Sequence, residues 1–268
     1  MIPIAPKKNR LAQSDRLLIL AILLMLCLCI IVITSFLGLS AWQANRTHAP
    51  ATATWQALLS QATATHVARV NDLNGYEFID HFNDNSNGWD TYNVDNEYMT
   101  ADVQVANGVY DWTINNAKKS FSTWGTKSSG KHTLGDFDVY VDARLNPDSA
   151  DNLCYGLRFR SEQVFSGANF YAFDVCNEEN FQVYYYDGVT SNWITLHTST
   201  KSDAIHPNEW NTLGVSARGT HFTFTINDWT VAQLDDSRLK AGDVGVFVEV
   251  FQGQSGTILF DNFALQPR

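Results

Sequence analysis

From Tyr76 to the end of the chain, apolar residues recur at every second position in short runs separated by Gly, Asn, Asp, Pro and Ser. FDVYVDARL puts Phe137, Val139, Val141, Ala143 and Leu145 on one face. Asp138, Tyr140, Asp142 and Arg144 fall on the other, continuing from Asp136. HFTFTI alternates Phe222, Phe224 and Ile226 with His221, Thr223 and Thr225, while TILFDNFAL and DVGVFVEVF read as strands with apolar residues on both faces. Roughly a dozen such runs, with no helical pattern of ten or more residues among them, point to a sandwich or a barrel. Roughly 190 residues suit an all-β, two-sheet antiparallel jelly-roll sandwich as a single domain, residues 76–268.

One hairpin can be placed in register. In CYGLRFRSEQVFSGANFYAFDVC, Cys154 opposite Cys176 sets Gly156 against Asp174, Arg158 against Ala172 and Arg160 against Phe170. Directly opposed residues share a face. The other face then holds Tyr155, Leu157, Phe159, Tyr171, Phe173 and Val175, all apolar or aromatic. A one-residue slip would destroy that agreement. Two readings of the cysteines stand: a cross-strand disulfide, or two unrelated buried thiols. The following run, FQVYYYDG, continues the core with Val183 and Tyr185 and adds Gln182, Tyr184 and Tyr186 to the mixed face.

The N-terminal part differs. Leu17 to Trp42 contains no charged residue over 26 positions, where about 20 apolar residues suffice to span a bilayer as a helix. A secretory signal would carry a shorter apolar core and a small-residue cleavage site, whereas Leu39-Ser40-Ala41 has Leu where a small residue belongs. The expectation is an uncleaved transmembrane helix at 17–42. Residues 1–16, with Lys7, Lys8, Arg10 and Arg16 against Asp15, carry +3 and stay in the cytoplasm by the positive-inside rule. Residues 43–75, an Ala/Thr/Gln-rich linker, lead to a C-terminal domain outside the cell membrane. Cys27 and Cys29 lie in the span, so Cys154 and Cys176 are an even pair in an oxidising setting. From Glu77 onward 12 Lys and Arg face 26 Asp and Glu, a net −14, which argues against nucleic acid or anionic lipid as partners.

FIDHFNDNSNGWD at the start of the domain, YGLRFR and NFYAFDV in the middle, and FDNFAL at the end resemble the concanavalin A-like lectin/glucanase jelly rolls. They are most similar to bacterial extracytoplasmic forms that follow one membrane anchor. Relatives of that group include laminin G-like modules, glycoside hydrolase family 16 and keto-disaccharide-hydrolase-type domains. The resemblance covers residues 77–268 and implies fold more than activity. Family 16 enzymes carry a Glu-x-Asp-x-(x)-Glu strand motif, and FVEVFQG offers only Glu249, so that type of glycosidase is disfavoured. By the same resemblance, a structural calcium is expected between the domain's start and an acid in its last strand, which implies Asp261 with Asp80.

The candidate ligand-binding residues are Arg158, Arg160, Asp174, Tyr184, Tyr186 and Trp193. Aromatic rings cover the CH face of a sugar, and planar charged groups bond its hydroxyls. The competing reading is a diagonal Arg158–Asp174 ion pair on a solvated face. Trp124 and Trp193 read either as sugar platforms or as rim packing. Asp84 to Asp90 reads as a turn or a calcium loop; Asp136, Asp138 and Asp142 as a carboxylate row or as ordinary surface acids. His81, His132, His197, His206 and His221 show no metal spacing. The function expected is a non-catalytic module binding cell-surface or environmental glycan. The alternatives are an accessory subunit docking in a membrane complex, with Ser35, Gly38 and Ser40 as a helix-packing strip, and a carbohydrate-active hydrolase.

Overall fold

The structure is a computed structural model that describes residues 75–126, 133–147, 149, 153–165, 167–176 and 179–268. The uncharged run 17–42, the basic N-terminus, the linker up to residue 74 and His132 lie outside the described residues. Among those that are described, no helix is long and apolar enough to cross a membrane. Contacts divide the chain into two units, and the one from Val67 to Arg268 contains every strand.

The strands are β1 (Phe78–Asp80), β2 (Tyr92–Asp95), β3 (Met99–Ala106), β4 (Val109–Ala117), β5 (Phe121–Gly125), β6 (Phe137–Leu145), β7 (Cys154–Val164) and β8 (Gly167–Cys176). They continue with β9 (Asn180–Asp187), β10 (Asn192–Lys201), β11 (Asn211–Arg218), β12 (His221–Ile226), β13 (Trp229–Asp235), β14 (Asp243–Val250) and β15 (Gly256–Pro267). A nine-stranded sheet runs β13-β12-β11-β6-β15-β4-β3-β2, with β1 also paired to β15. A six-stranded sheet runs β10-β9-β8-β7-β14-β5. Every pairing within the named strands is antiparallel. The all-β two-sheet sandwich expected from the alternation is what forms.

The period-2 pattern decides which residues meet between the sheets. Val139, Val141, Phe222 and Phe224 come from the larger sheet; Tyr155, Leu157, Phe159, Tyr171, Phe173 and Val175 come from the smaller, and all are fully buried. Rings interlock across the gap: Phe159 to Phe222 at 5.4 Å, Tyr171 to Phe222 at 5.1 Å and Phe173 to Phe224 at 5.1 Å between centroids. Burying each such side chain contributes about 1.5–3 kcal/mol, and edge contacts between rings add to it.

The outer face of the nine-stranded sheet is tied down by acids. Asp138, 6% exposed, accepts two hydrogen bonds from Arg218 at 2.8 and 2.9 Å and one from Arg268 at 2.8 Å. Asp142, 4% exposed, accepts from Thr212 Oγ1 at 2.5 Å and Asn262 Nδ2 at 2.8 Å. Asp136 accepts from the Gly219 amide. The strand's carboxylates are therefore scaffold ties, and the carboxylate-row reading fails because each acid is committed to its own neighbours.

Candidate functional site

The hairpin β7–β8 forms in the expected register from Cys154↔Cys176 to Phe159↔Tyr171, and the two cysteines are disulfide-bonded. Closing 22 residues of separation this way contributes roughly 3 kcal/mol in the chain-entropy model. Register breaks after Phe159, where a bulge inserts one residue before Glu162↔Asn169. Arg160 sits in that bulge with a φ of 46°.

The bulge corrects one expectation. Arg160 does not join the mixed face, because an extra residue re-aims the side chains that follow it. Its guanidinium donates to the Gly135 carbonyl at 2.8 and 3.1 Å and to the Leu239 carbonyl at 2.9 Å, and lies 4.9 Å from the Phe222 ring. With Asp136 at 3.7 Å it is a satisfied structural cation.

The remaining predicted ligand residues do share a face, the outer side of the six-stranded sheet. Cross-strand pairing arranges that face in transverse rows. Trp193 lies beside Tyr186, which lies beside Phe170. The next row runs Tyr184, Ala172, Arg158 and Gly245. It is followed by Gln182, Asp174, Gly156, Phe247 and Trp124. The last row runs Asn180, Cys176, Cys154, Glu249 and Ser122. The strands approach so closely at Gly156 that a Cβ there would lie 2.0 Å from the Phe173 carbonyl oxygen.

These residues make a second apolar cluster, separate from the main core. Phe170, Ala172 and Phe247 are buried, with Trp124, Tyr184 and Tyr186 packed against them. Trp193, 39% exposed, meets Tyr186 at 4.6 Å and Tyr184 at 5.5 Å between ring centroids. Trp124 and Trp193 sit on strands β5 and β10, not on loops.

Charge is buried within this aromatic bed. Arg158 is 5% exposed, with its guanidinium 4.3 Å from the Trp124 ring and 5.4 Å from Phe170. Burial pushes its pKa down to about 10, against the pull of Asp243 and Asp90. Among the described residues its Nε and Nη1 have no hydrogen-bond partner, and neither has Asp174 Oδ2. The diagonal Arg158–Asp174 ion pair is thus not made. Burial, and then the Glu249 charge, hold the fully enclosed Asp174 carboxyl well above its usual range, against a hydrogen bond from Gln182. Burial also pushes Glu249 up to about 7, opposed by Ser122. The Tyr184 phenol is raised by burial first, then by Asp174 and Glu249.

Chemically the face offers aromatic CH-stacking surfaces, a desolvated guanidinium and a carboxyl poised to exchange a proton near neutrality. Sequence reasoning missed Phe247 and Glu249, which reach this face only through the non-local order β7-β14-β5. The Asp174 and Glu249 carboxyls and the Cys154 and Cys176 sulfurs all lie within 4.8 Å of one another. With the sulfurs bonded to each other, two carboxyls remain, too few for the six to eight oxygens that calcium takes.

The acids expected for calcium lie elsewhere. Asp80 accepts from the Phe82 amide at 2.8 Å and from Asn87 Nδ2 and Trp89 Nε1, each at 2.7 Å. Three N–H groups aimed at one carboxylate suit a loop anchor and not a calcium ligand. Asp261 pairs with Asp142 across β15–β6 and accepts its neighbour's amide at 2.7 Å. The Asp84–Asp90 segment is a turn: Gly88 N donates to the Asn85 carbonyl, and the Asn85 side chain both accepts from Trp89 N and donates to the Trp89 carbonyl.

A Bacteroides ovatus mixed-linkage-glucan family 16 glycoside hydrolase, solved with its product, is similar at a TM-score of 0.52 and 9% identity, covering 70% of this chain and 99% of that one. A Bacillus subtilis protein of unknown function with a galectin-like fold gives 0.52 and 9%, covering 72% and 96%. A Bacillus subtilis carbohydrate-binding module gives 0.44 and 18%, covering 67% and 95%. At these identities the likeness is one of fold alone. No curated protein sequence matches. A family model described as a 3-keto-alpha-glucoside-1,2-lyase-like domain matches residues 77–265, and the chain belongs to that family.

Proposed function

We propose that the chain is a membrane-anchored, extracytoplasmic glycan-binding protein, with the outer face of the six-stranded sheet as its sugar site. One observation carries the reading: a half-exposed Trp193, backed by Tyr184 and Tyr186, shares a face with a buried, incompletely bonded Arg158. Rings of this kind stack on the apolar face of a pyranose, and guanidinium N–H groups bond its hydroxyls. The net charge of the domain favours a neutral glycan. Membership of a family named for a glucoside-cleaving enzyme supports the carbohydrate class, and the uncharged run 17–42 supports the anchor.

Catalysis is the second reading, and Glu249 favours it. A carboxyl pushed up to about 7 on the sugar face is matched to general acid–base work at neutral pH.

The test is a broad glycan array probed with the full chain in detergent micelles. A neutral polysaccharide is expected to bind, and Trp193→Ala is expected to weaken binding roughly tenfold, the effect of losing one stacking ring. Failure of every glycan to bind overturns the reading, and recovery of the chain from native membrane in a stoichiometric complex turns it toward the accessory role. Glycoside cleavage abolished by Glu249→Gln establishes the catalytic one.

A further inference from the structure

A separate cavity opens between the two sheets. β10 is the outer strand of the six-stranded sheet and β13 an outer strand of the nine-stranded one. A space of about 470 Å³ is lined by His197 and Thr200 of β10, Trp229 and Thr230 of β13, Phe181 of β9 and Asp203 of the turn after β10. That volume falls within the range of small-ligand pockets and has room for roughly one or two sugar rings.

Local backbone features build its walls. Asn227 and Asp228 both take positive φ, 49° and 68°, as a tight hairpin turn between β12 and β13 demands. The turn delivers Trp229 at the first position of β13, 73% exposed. No ring or hydrogen-bond partner holds its indole among the described residues. On the opposite wall, β10 departs from regular pairing with β9 on both sides of His197. Bulges re-aim side chains, and here His197 lies flat on Phe181, with centroids 4.8 Å apart and planes 24° apart. Thr200, Thr230 and Asp203 also line the space, the Thr200 hydroxyl donating to the Thr198 carbonyl at 2.8 Å and keeping its acceptor lone pairs. Lys201, also in the lining, is already paired with Glu179 at 3.0 Å.

We propose that this cavity is a second carbohydrate subsite, taking one or two rings of a neutral glycan with Trp229 as its stacking platform. Apolar flat walls with hydroxyl and carboxylate acceptors beside them match a pyranose, which has CH faces and an equatorial rim of hydroxyls. Lys201 is offset by Glu179 beside it and by Asp203 in the lining, so the lining carries no excess of positive charge that would favour an anion. The inference rests on the reading that the ligand is a sugar, but it uses residues distinct from those of the outer face. Two subsites on one domain would let a polysaccharide bind with avidity beyond either contact alone.

The test is an indole NMR titration of the full chain in detergent micelles, with methyl α-glucoside, methyl β-glucoside and methyl β-galactoside as probes. The Trp229 and Trp193 signals are identified by their loss in Trp229→Phe and Trp193→Phe. The expected result is a saturable shift of the Trp229 signal that persists in Trp193→Ala. In the Trp193→Ala background, Trp229→Ala is expected to lower the affinity for the same glycosides, read by titration calorimetry, roughly tenfold or more, the effect of losing the stacking ring. A shift at Trp229 alone supports this subsite and removes the outer face. A shift at Trp193 alone overturns the subsite and leaves the outer face standing. No shift at either overturns both.

Discussion

The outer faces of the two sheets both bury carboxyl groups, and they treat them in opposite ways. On the nine-stranded sheet, Asp138 is held by two arginines and Asp142 by Thr212 and Asn262. On the six-stranded sheet, Arg158 is enclosed to a similar degree and Asp174 more deeply, yet each keeps a polar atom without a partner among the described residues. Buried polar groups are almost always bonded, so an unsatisfied one calls for a reason. The same contrast recurs within one strand, where Arg160 has its carbonyl partners and Arg158 has only rings. The buried acids of the nine-stranded sheet are fully bonded, while Asp174 is not; among the arginines, Arg144 Nε on the nine-stranded sheet shares with Arg158 the lack of a partner among the described residues and lies 4.9 Å from the Trp210 ring.

The largest effect expected from this contrast lies in the pH dependence of stability. Glu249 has a folded pKa of about 7 against an ordinary 4.5, so between these values the folded state holds more protons than the unfolded one. Its contribution to stability is therefore full below about pH 4.5 and falls as pH rises toward 7, by up to about 3 kcal/mol. Denaturant melts of wild type and Glu249→Gln across that window should diverge, with the variant flatter. Equal slopes would remove Glu249 from the unsatisfied face.

A smaller effect is expected on the other sheet. Asp138→Asn should cost about 2 kcal/mol, less than the roughly 3–5 of a fully enclosed pair, because its arginines are half exposed. Glycan binding should not change. Opposite in sign is Asp174→Asn, in which an amide replaces a carboxyl whose ionised form burial opposes in the folded state. The unfolded chain ionises this group above about pH 4, so the variant should be more stable than wild type at neutral pH, with the gain vanishing in acid. If the two Asp→Asn substitutions cost the same, the contrast between the faces is wrong.

Much of the fold is legible in the order of the residues alone. The alternation in FDVYVDARL and the cysteine-to-cysteine register place Val139, Tyr155 and Phe173 in the core because period 2 is a local property of a strand. What escapes such reading is set by distant partners. Nothing near Arg160 announces a bulge; the carbonyls of Gly135 and Leu239, far away in sequence, make it favourable. Glu249 reads as one acid in an apolar run, and only the place of β14 between β7 and β5 brings it to Asp174. The Asn-Asp pair before Trp229 signals a turn, but that the indole stands exposed beside a cavity depends on β10 across the gap.

The strand β15 bonds to β1, β4 and β6, which makes it a central staple of the nine-stranded sheet. It is also synthesised after every strand it joins. A nascent chain lacking these residues has β4 and β6 with no common neighbour, two half-sheets with open edges and exposed apolar surface. Completion of the nine-stranded sheet therefore waits for β15, the strand that joins its two halves.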